Sequence, residues 1–375
     1  MAAKIDNPFL VYGYEGPDYF CDREQETDSL ISHLQNGWNV TLISPRRMGK
    51  TGLISQAFHR LTEQEPDSVC IYVDIFGTND LHDFVQLLGT AMLNAVCSKG
   101  QKAMQKILQL FSSWRPVLGA DPVSGVPQLS VTLEPTEAEF DLKKIFSYMK
   151  SSEKQIYLAI DEFQQITEYP ETGVEAQLRS YIQFVHNAHF IFSGSKLHLM
   201  SQMFFSPKRP FFQSTWLLDL HTIGEDVYYD FANGFFAARG GHLSHEIFHT
   251  IYQLFDGHTW YVQSLLKVLY ARYEVVSSTD QLTAAIEEIL GSNDSYFSTI
   301  MSLLTPRQQA VTRAIAHEGM VKEVTAGSFI RSHRLTSAST VQSALKTLVA
   351  KEIIYHSAEG YQVYNRFFAL WLRRH

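Results

Sequence analysis

Ser44-Pro45-Arg46-Arg47-Met48-Gly49-Lys50-Thr51-Gly52 has the residue types and the spacing to hold a chain of phosphates. It meets the pattern GxxxxGK[ST] at every position except the first, where Ser44 stands for glycine. In such a loop successive N–H groups point inward at an anion, and the start of the next helix adds its positive end. Gly49 lets the backbone come close, Lys50 brings a point charge to the β- and γ-phosphates, and Thr51 offers a hydroxyl to Mg²⁺. Ser44 fits only if its position needs no positive φ. The competing reading is a chance GKT in a turn, but an apolar strand precedes this one and a helix follows it.

A metal-bound triphosphate also calls for a carboxylate at the end of a neighbouring strand. Asp161 ends the apolar run Ile156–Ile160 and is the candidate metal residue, with Glu162 as the candidate base that orients the attacking water. Phe190–Ser193 is followed by Gly194-Ser195-Lys196. Ser193 or Ser195 could contact the γ-phosphate, and an ordinary turn is the alternative. Arg46, Arg47, Lys208 and Arg209 are the cations best placed for triphosphate charge. Arg209 is either an arginine finger toward a neighbouring copy or a solvated loop charge. Asp22 and Gln25 have capping-box spacing, while Tyr14, Tyr19 and Phe20 just upstream could stack on a base.

A second motif competes. His245-Glu246-Ile247-Phe248-His249 matches HExxH, a zinc protease pattern with both histidines on one helix face. No convincing third ligand follows, although Glu274 could be proposed, so the match reads as a decoy and zinc chemistry as a distant third function.

Short apolar runs alternating with amphipathic stretches must position these residues, which predicts βα units and a five-stranded parallel sheet. The strands are expected at Asn39–Ser44, Val69–Phe76, Ile156–Ile160, Phe190–Ser193 and Trp216–Leu220. A helix at Leu81–Phe111 and a hairpin-like insertion at Ser112–Pro135 separate the second and third. After about His221 the strands stop, and helical periodicity runs over Glu225–Arg239, Leu243–Phe255, Thr259–Tyr273 and Asp280–Leu290. Gly291–Ser298 reads as a linker. From Thr305, three helices and a strand pair turning at Ala358-Glu359-Gly360 give the winged helix-turn-helix order. Three domains are expected, at 1–221, 222–295 and 296–375.

The 375 residues are 45% hydrophobic and 19% charged, which excludes wholesale disorder and collagen-like structure. Cys21, Cys70 and Cys97 are too few and too scattered for a disulfide framework. The net charge of −8 is uneven. From Tyr296 onward there are ten Lys/Arg against four Asp/Glu, a local +6, which leaves −14 elsewhere. A basic final domain suggests an acidic partner. Arg331, Arg334, Lys346 and Lys351 stand where phosphate contacts would fall, with Ser339, Thr340, Gln342 and Ser343 as base-reading candidates. No signal-like or membrane-length apolar run is evident, so a soluble cytoplasmic protein without membrane contact is expected.

On these motifs the chain resembles the archaeal-type ATPases of the AAA+-like group, close to the signal-transduction ATPases with numerous domains. The shared features are Phe20, Arg23, Glu24 and Glu26 near the start, the P-R-R-x-G-K-T loop, Asp161-Glu162-Phe163 and Phe192-Ser193-Gly194-Ser195. The closing stretch Phe367–Leu372 is also similar. The resemblance implies that the Phe20/Arg23 box flanks adenine, that Ser193 acts as a sensor and that Arg209 is the family's loop arginine. It also implies a lid turn beside the nucleotide at Gly257-His258-Thr259-Trp260, with Thr259 where proline is expected and His258 as the contact.

The expectation is therefore an Mg²⁺-ATP-dependent switch that hydrolyses ATP to ADP and phosphate. Lys50, the metal and Arg209 would stabilise charge. Its output would be a winged helix that contacts double-stranded DNA or a protein through residues 305–364, and homo-oligomers fit this scheme. The alternative is a non-catalytic nucleotide-holding interaction module.

Overall fold

The computed structural model describes residues 6–97, 115–120, 127–132, 137–357 and 359–374. Two compact units divide the chain: Tyr12–Ile223, and Met1–Val11 together with Gly224–His375.

The first unit is built on a parallel sheet. Its strands are β1 (Val40–Ile43), β2 (Val69–Asp74), β5 (Ile156–Asp161), β6 (Ala188–Gly194) and β7 (Trp216–Asp219), in the order β2-β5-β6-β1-β7. An antiparallel pair, β3 (Arg115–Ala120) and β4 (Pro127–Thr132), forms the expected hairpin between β2 and β5. The predicted helix after β2 is described over Leu81–Cys97; its continuation to Phe111 lies outside the described residues.

Alternation along the strands sorts the side chains onto two faces. Ile156, Leu158 and Ile160 of β5, with Phe190 and Phe192 of β6, pack with the helices Leu81–Cys97 and Ala138–Ser151. Tyr157, Ala159 and Ile191 pack on the opposite face with Glu24–Gln35 and Lys50–Gln64. Continuing the alternation, Asp161 and Ser193 fall on the face of the helix that opens with Lys50. Because β6 separates β1 from β5, Ser193 stands between the loop after β1 and the acid pair after β5.

Asp22 and Gln25 do not form a capping box. The helix starts at Glu24, its N-cap is Arg23, and no side chain caps it. Asp22 and Arg23 both have left-handed φ, 52° and 70°, and the N-cap falls one residue past Asp22.

In the second unit the predicted helices occur at Glu225–Ala238, His245–Leu254, Thr259–Arg272 and Thr279–Ser292. Strands do not stop at His221: β8 (His242–Leu243) and β9 (Val275–Val276) pair in parallel. Two-residue strands carry no readable period, but Gly241 marks the place, since a side chain there would run into the Glu274 carbonyl. Gly291–Ser298 is not a linker. Asn293 donates to Ile289 O at 2.8 Å and a helix runs over Asp294–Ser302. Its Phe297 lies against Phe368 and Trp371, and Trp371 Nε1 donates to Asp294 at 2.8 Å. Polar composition mimicked a loop where one apolar face sufficed for a helix.

The last elements follow the winged-helix order. The helix Pro306–Glu318, opened by a Thr305 capping box, precedes Gly327–Ser332 and Ala338–Ala350. β10 (Ile354–Ser357) and β11 (Gly360–Val363) then pair antiparallel, and Val321 bridges to Tyr361. Ala358 of the expected turn lies outside the described residues. The helix Arg366–Leu372 closes the chain. At the other end, Phe9 is fully buried between Phe235, Phe236 and Tyr270.

Candidate functional site: a phosphate loop, an acid pair and a serine

The loop after β1 has the conformation its residues require. Arg47 and Gly49 hold the left-handed φ values, 67° and 99°, and Ser44 does not. Serine therefore fits the first position, where it is fully buried. Met48 is buried in the core below, and Gly49 is the N-cap of Lys50–Gln64. Lys50 is 6% exposed, and its Nζ donates to Ser44 O at 3.0 Å and Pro45 O at 3.1 Å. Burial pulls the Lys50 ammonium below its usual range, and the Asp161 and Glu162 carboxylates oppose that pull.

Thr51 Oγ1 donates to Asp161 Oδ2 at 3.1 Å, so two residues 110 positions apart meet at the carboxyl ends of β1 and β5. Open parallel sheets bind ligands at this end. The Glu162 N–H donates to Asp161 Oδ1 at 3.0 Å. Glu162 itself has φ 54°, and its Oε2 accepts from Gln164 Nε2 at 2.5 Å and Ser195 Oγ at 2.7 Å. Arg46 Nε donates to Ser195 Oγ at 3.4 Å, and its guanidinium lies 5.1 Å from the Phe76 ring centroid. Ser193 is fully buried, with no partner for its Oγ among the described residues. Hard oxygen donors at Thr51 and Asp161 suit Mg²⁺, and these residues would hold it.

The aromatic box reaches the loop from the chain start. A Cβ on Gly52 would come 3.0 Å from the Phe20 ring, so glycine lets Phe20 lie on the first turn of the helix. Tyr14 meets Phe20 edge-on at 6.0 Å. Arg23 is 3% exposed; its Nη1 pairs with Glu26 at 2.7 Å, and its buried Nη2 has no partner among the described residues.

Two further expected residues are described by their own contacts. Arg209 Nη2 pairs with Glu175 Oε2 at 2.5 Å within its own unit. Burial pushes the Glu175 carboxyl up, and the Arg209 charge opposes that. His258 belongs to the second unit, as N-cap of Thr259–Arg272, with its ring 4.7 Å from that of Tyr261.

The HExxH histidines bind carboxylates. His249 Nδ1 lies 2.6 Å from Glu225, and His245 lies 3.8 Å from Asp226. Among the described residues the one three-ligand cluster is Asp80, His82 and Asp83, in the other unit. Nothing supports a zinc protease.

Sequence reasoning missed Tyr72 and Gln164. Tyr72 OH donates to Asp161 Oδ2 at 2.7 Å, and only the β2/β5 register reveals it. Gln164 stood in plain view two residues after Glu162, but its burial did not.

The five-stranded order, the loop and the acid pair define a P-loop NTPase, and the second unit ends in a winged helix. Residues 20–265 match the family described as "ATPase domain predominantly from Archaea", and the chain belongs to that family. Residues 295–374 match a "Probable winged helix domain". No match occurs among curated protein sequences. Among solved structures, the fold resembles the Walker-type ATPase PABY2304 of Pyrococcus abyssi, with TM-score 0.63 and 17% identity over 98% of this chain and 99% of that one. It also resembles the Aeropyrum pernix ORC2 protein, described as ADPNP-ADP complexes, with TM-score 0.59 and 15% identity over 98% and 95%. The Aeropyrum pernix ORC1 protein in complex with DNA gives TM-score 0.52 and 15% identity over 95% and 93%. No described helix is long and apolar enough to cross a membrane.

Proposed function

We propose that this protein is an Mg²⁺-ATP-dependent switch whose output is the winged helix. The observation that carries the reading is the Thr51–Asp161 hydrogen bond, which joins the phosphate loop to the acid strand. Lys50 and the loop N–H groups hold the phosphates. Thr51 and Asp161 would hold the metal, which would supply charge neutralisation at the phosphates, and Glu162 orients the attacking water. Phe20 and Arg23 flank the base, and Ser193, with its free buried hydroxyl, reads the γ-phosphate. Arg209 completes the site of a neighbouring copy. In this scheme the chain works as three modules: core 1–221, lid 222–295 and winged helix 296–375.

The winged helix contacts double-stranded DNA through residues 305–364. Arg331, Arg334, Lys346 and Lys351 are all exposed there, and the base-reading candidates Ser339, Gln342 and Ser343 are exposed on the third helix. Arg307, Ser339, Thr340 and Ser343 share a polar groove between the first and third helices.

Nucleotide titration tests the reading at its root: wild type should bind ATP more tightly with Mg²⁺ than with EDTA. A second reading, a chain that holds nucleotide without turnover, is favoured by the ties of Glu162 to Ser195 and Gln164. Nucleotide that survives dialysis together with no phosphate release would select it.

A further inference from the structure

The β2/β5 register sets Tyr72 opposite Ala159 and Asp74 opposite Asp161. Asp161 is therefore the diagonal neighbour of Tyr72 on the face that receives the phosphate-loop helix, within reach of a long side chain. Ala159 is fully buried and small, which leaves room for the Tyr72 ring to run along the strand. The hydroxyl ends on Asp161 Oδ2 at 2.7 Å, the same oxygen that accepts from Thr51 Oγ1 at 3.1 Å. With the Glu162 N–H on Oδ1, three donors hold both carboxylate oxygens.

We propose that Tyr72 is a positioning residue that fixes the Asp161 carboxylate and so sets the Mg²⁺ affinity of the nucleotide site. The inference rests on the nucleotide-site reading above. Ligand carboxylates depend on neighbours that lock their orientation, and removing such a neighbour weakens metal binding roughly 10–100-fold. Thr51 spends its single proton on Asp161, which leaves its lone pairs to face a cation. The bond from Tyr72 keeps Oδ2 in place to receive that proton.

Tyr157 provides an internal control. It lies on the same face of β5, at the opposite end from Asp161, and donates to the Glu65 carboxylate at 2.9 Å. Tyr72→Phe and Tyr157→Phe each remove one hydroxyl–carboxylate bond and keep the ring, but only the first touches the acid pair.

The test titrates a fluorescent ATP analogue against wild type and both variants, in EDTA and across Mg²⁺ concentrations. Tyr72→Phe should raise the Mg²⁺ concentration for half-maximal tightening roughly tenfold or more, with affinity in EDTA unchanged. Tyr157→Phe should match wild type. In an Asp161→Asn background, Tyr72→Phe should add nothing further. An unchanged Mg²⁺ midpoint in Tyr72→Phe overturns the proposal. So does an equal loss in EDTA, because the ring would then be packing the loop and not orienting the carboxylate. Wild type that binds no nucleotide in either buffer removes the nucleotide-site reading itself, and the Tyr72 role goes with it.

Discussion

Ser195 donates its hydroxyl proton to Glu162 Oε2 at 2.7 Å, across the gap between the ends of β6 and β5. Gln164 Nε2 donates to the same oxygen, so the carboxylate offered as the water-orienting group is held from two sides. Glu162→Gln should retain ATP binding and lose about 10²–10⁴-fold in turnover, the usual worth of a positioned base. Gln164→Met, which keeps the volume and removes the donor, should cost roughly tenfold in kcat with little change in nucleotide affinity, on the same scale of positioning effects. Steady-state phosphate release reads both, and equal rates in wild type and Glu162→Gln would end the catalytic assignment.

Gly194 should not tolerate a side chain. A Cβ there would overlap Gln164 Oε1 and the Met200 thioether, both buried. Gly194→Ala should destabilise the first unit by about 1–3 kcal/mol, as overpacking does, and displace the Gln164 amide from Glu162. Urea unfolding combined with the turnover assay checks both effects; an alanine variant with wild-type values for each would contradict this packing.

Lys50→Ala should lose ATP binding by about two orders of magnitude or more, since charge-assisted contacts worth about 1.5–3 kcal/mol each disappear. Fluorescent-nucleotide titration in EDTA isolates this loss from the metal. Retention of wild-type affinity would mean the loop is an ordinary turn.

Binding of the winged helix to duplex DNA should weaken steeply with salt, with log K falling by about 0.9 per phosphate neutralised for each tenfold rise in concentration. Arg331→Ala and Lys346→Ala should each lower that slope by about 1. Fluorescence anisotropy at several salt concentrations decides the matter. A flat response, or no binding to any duplex, points to a protein partner.

How much was legible beforehand depended on periodicity and on local motif. The five parallel strands, the loop and Asp161-Glu162 were visible because buried strands read as short apolar runs and the loop's spacing is local. The full order of those strands was not, and Tyr72 acquires meaning only through register, whereas Ser193 was already a candidate γ-phosphate contact. Polar composition misled at Gly291–Ser298, where Asn293 and Phe297 build a helix from residues that look like a linker. The HExxH match was legible as a decoy, because a helix face brings two histidines together without supplying a third ligand, and both lie beside carboxylates of Asp226 and Glu225.

The allocation of Phe9 to the second unit has a consequence for chain connectivity. With residues up to Val11 folded alongside Gly224–His375, the polypeptide passes between the units twice, next to Val11 and next to Ile223. A single protease cut at either passage would leave the units on one covalent thread, and only two cuts would release them.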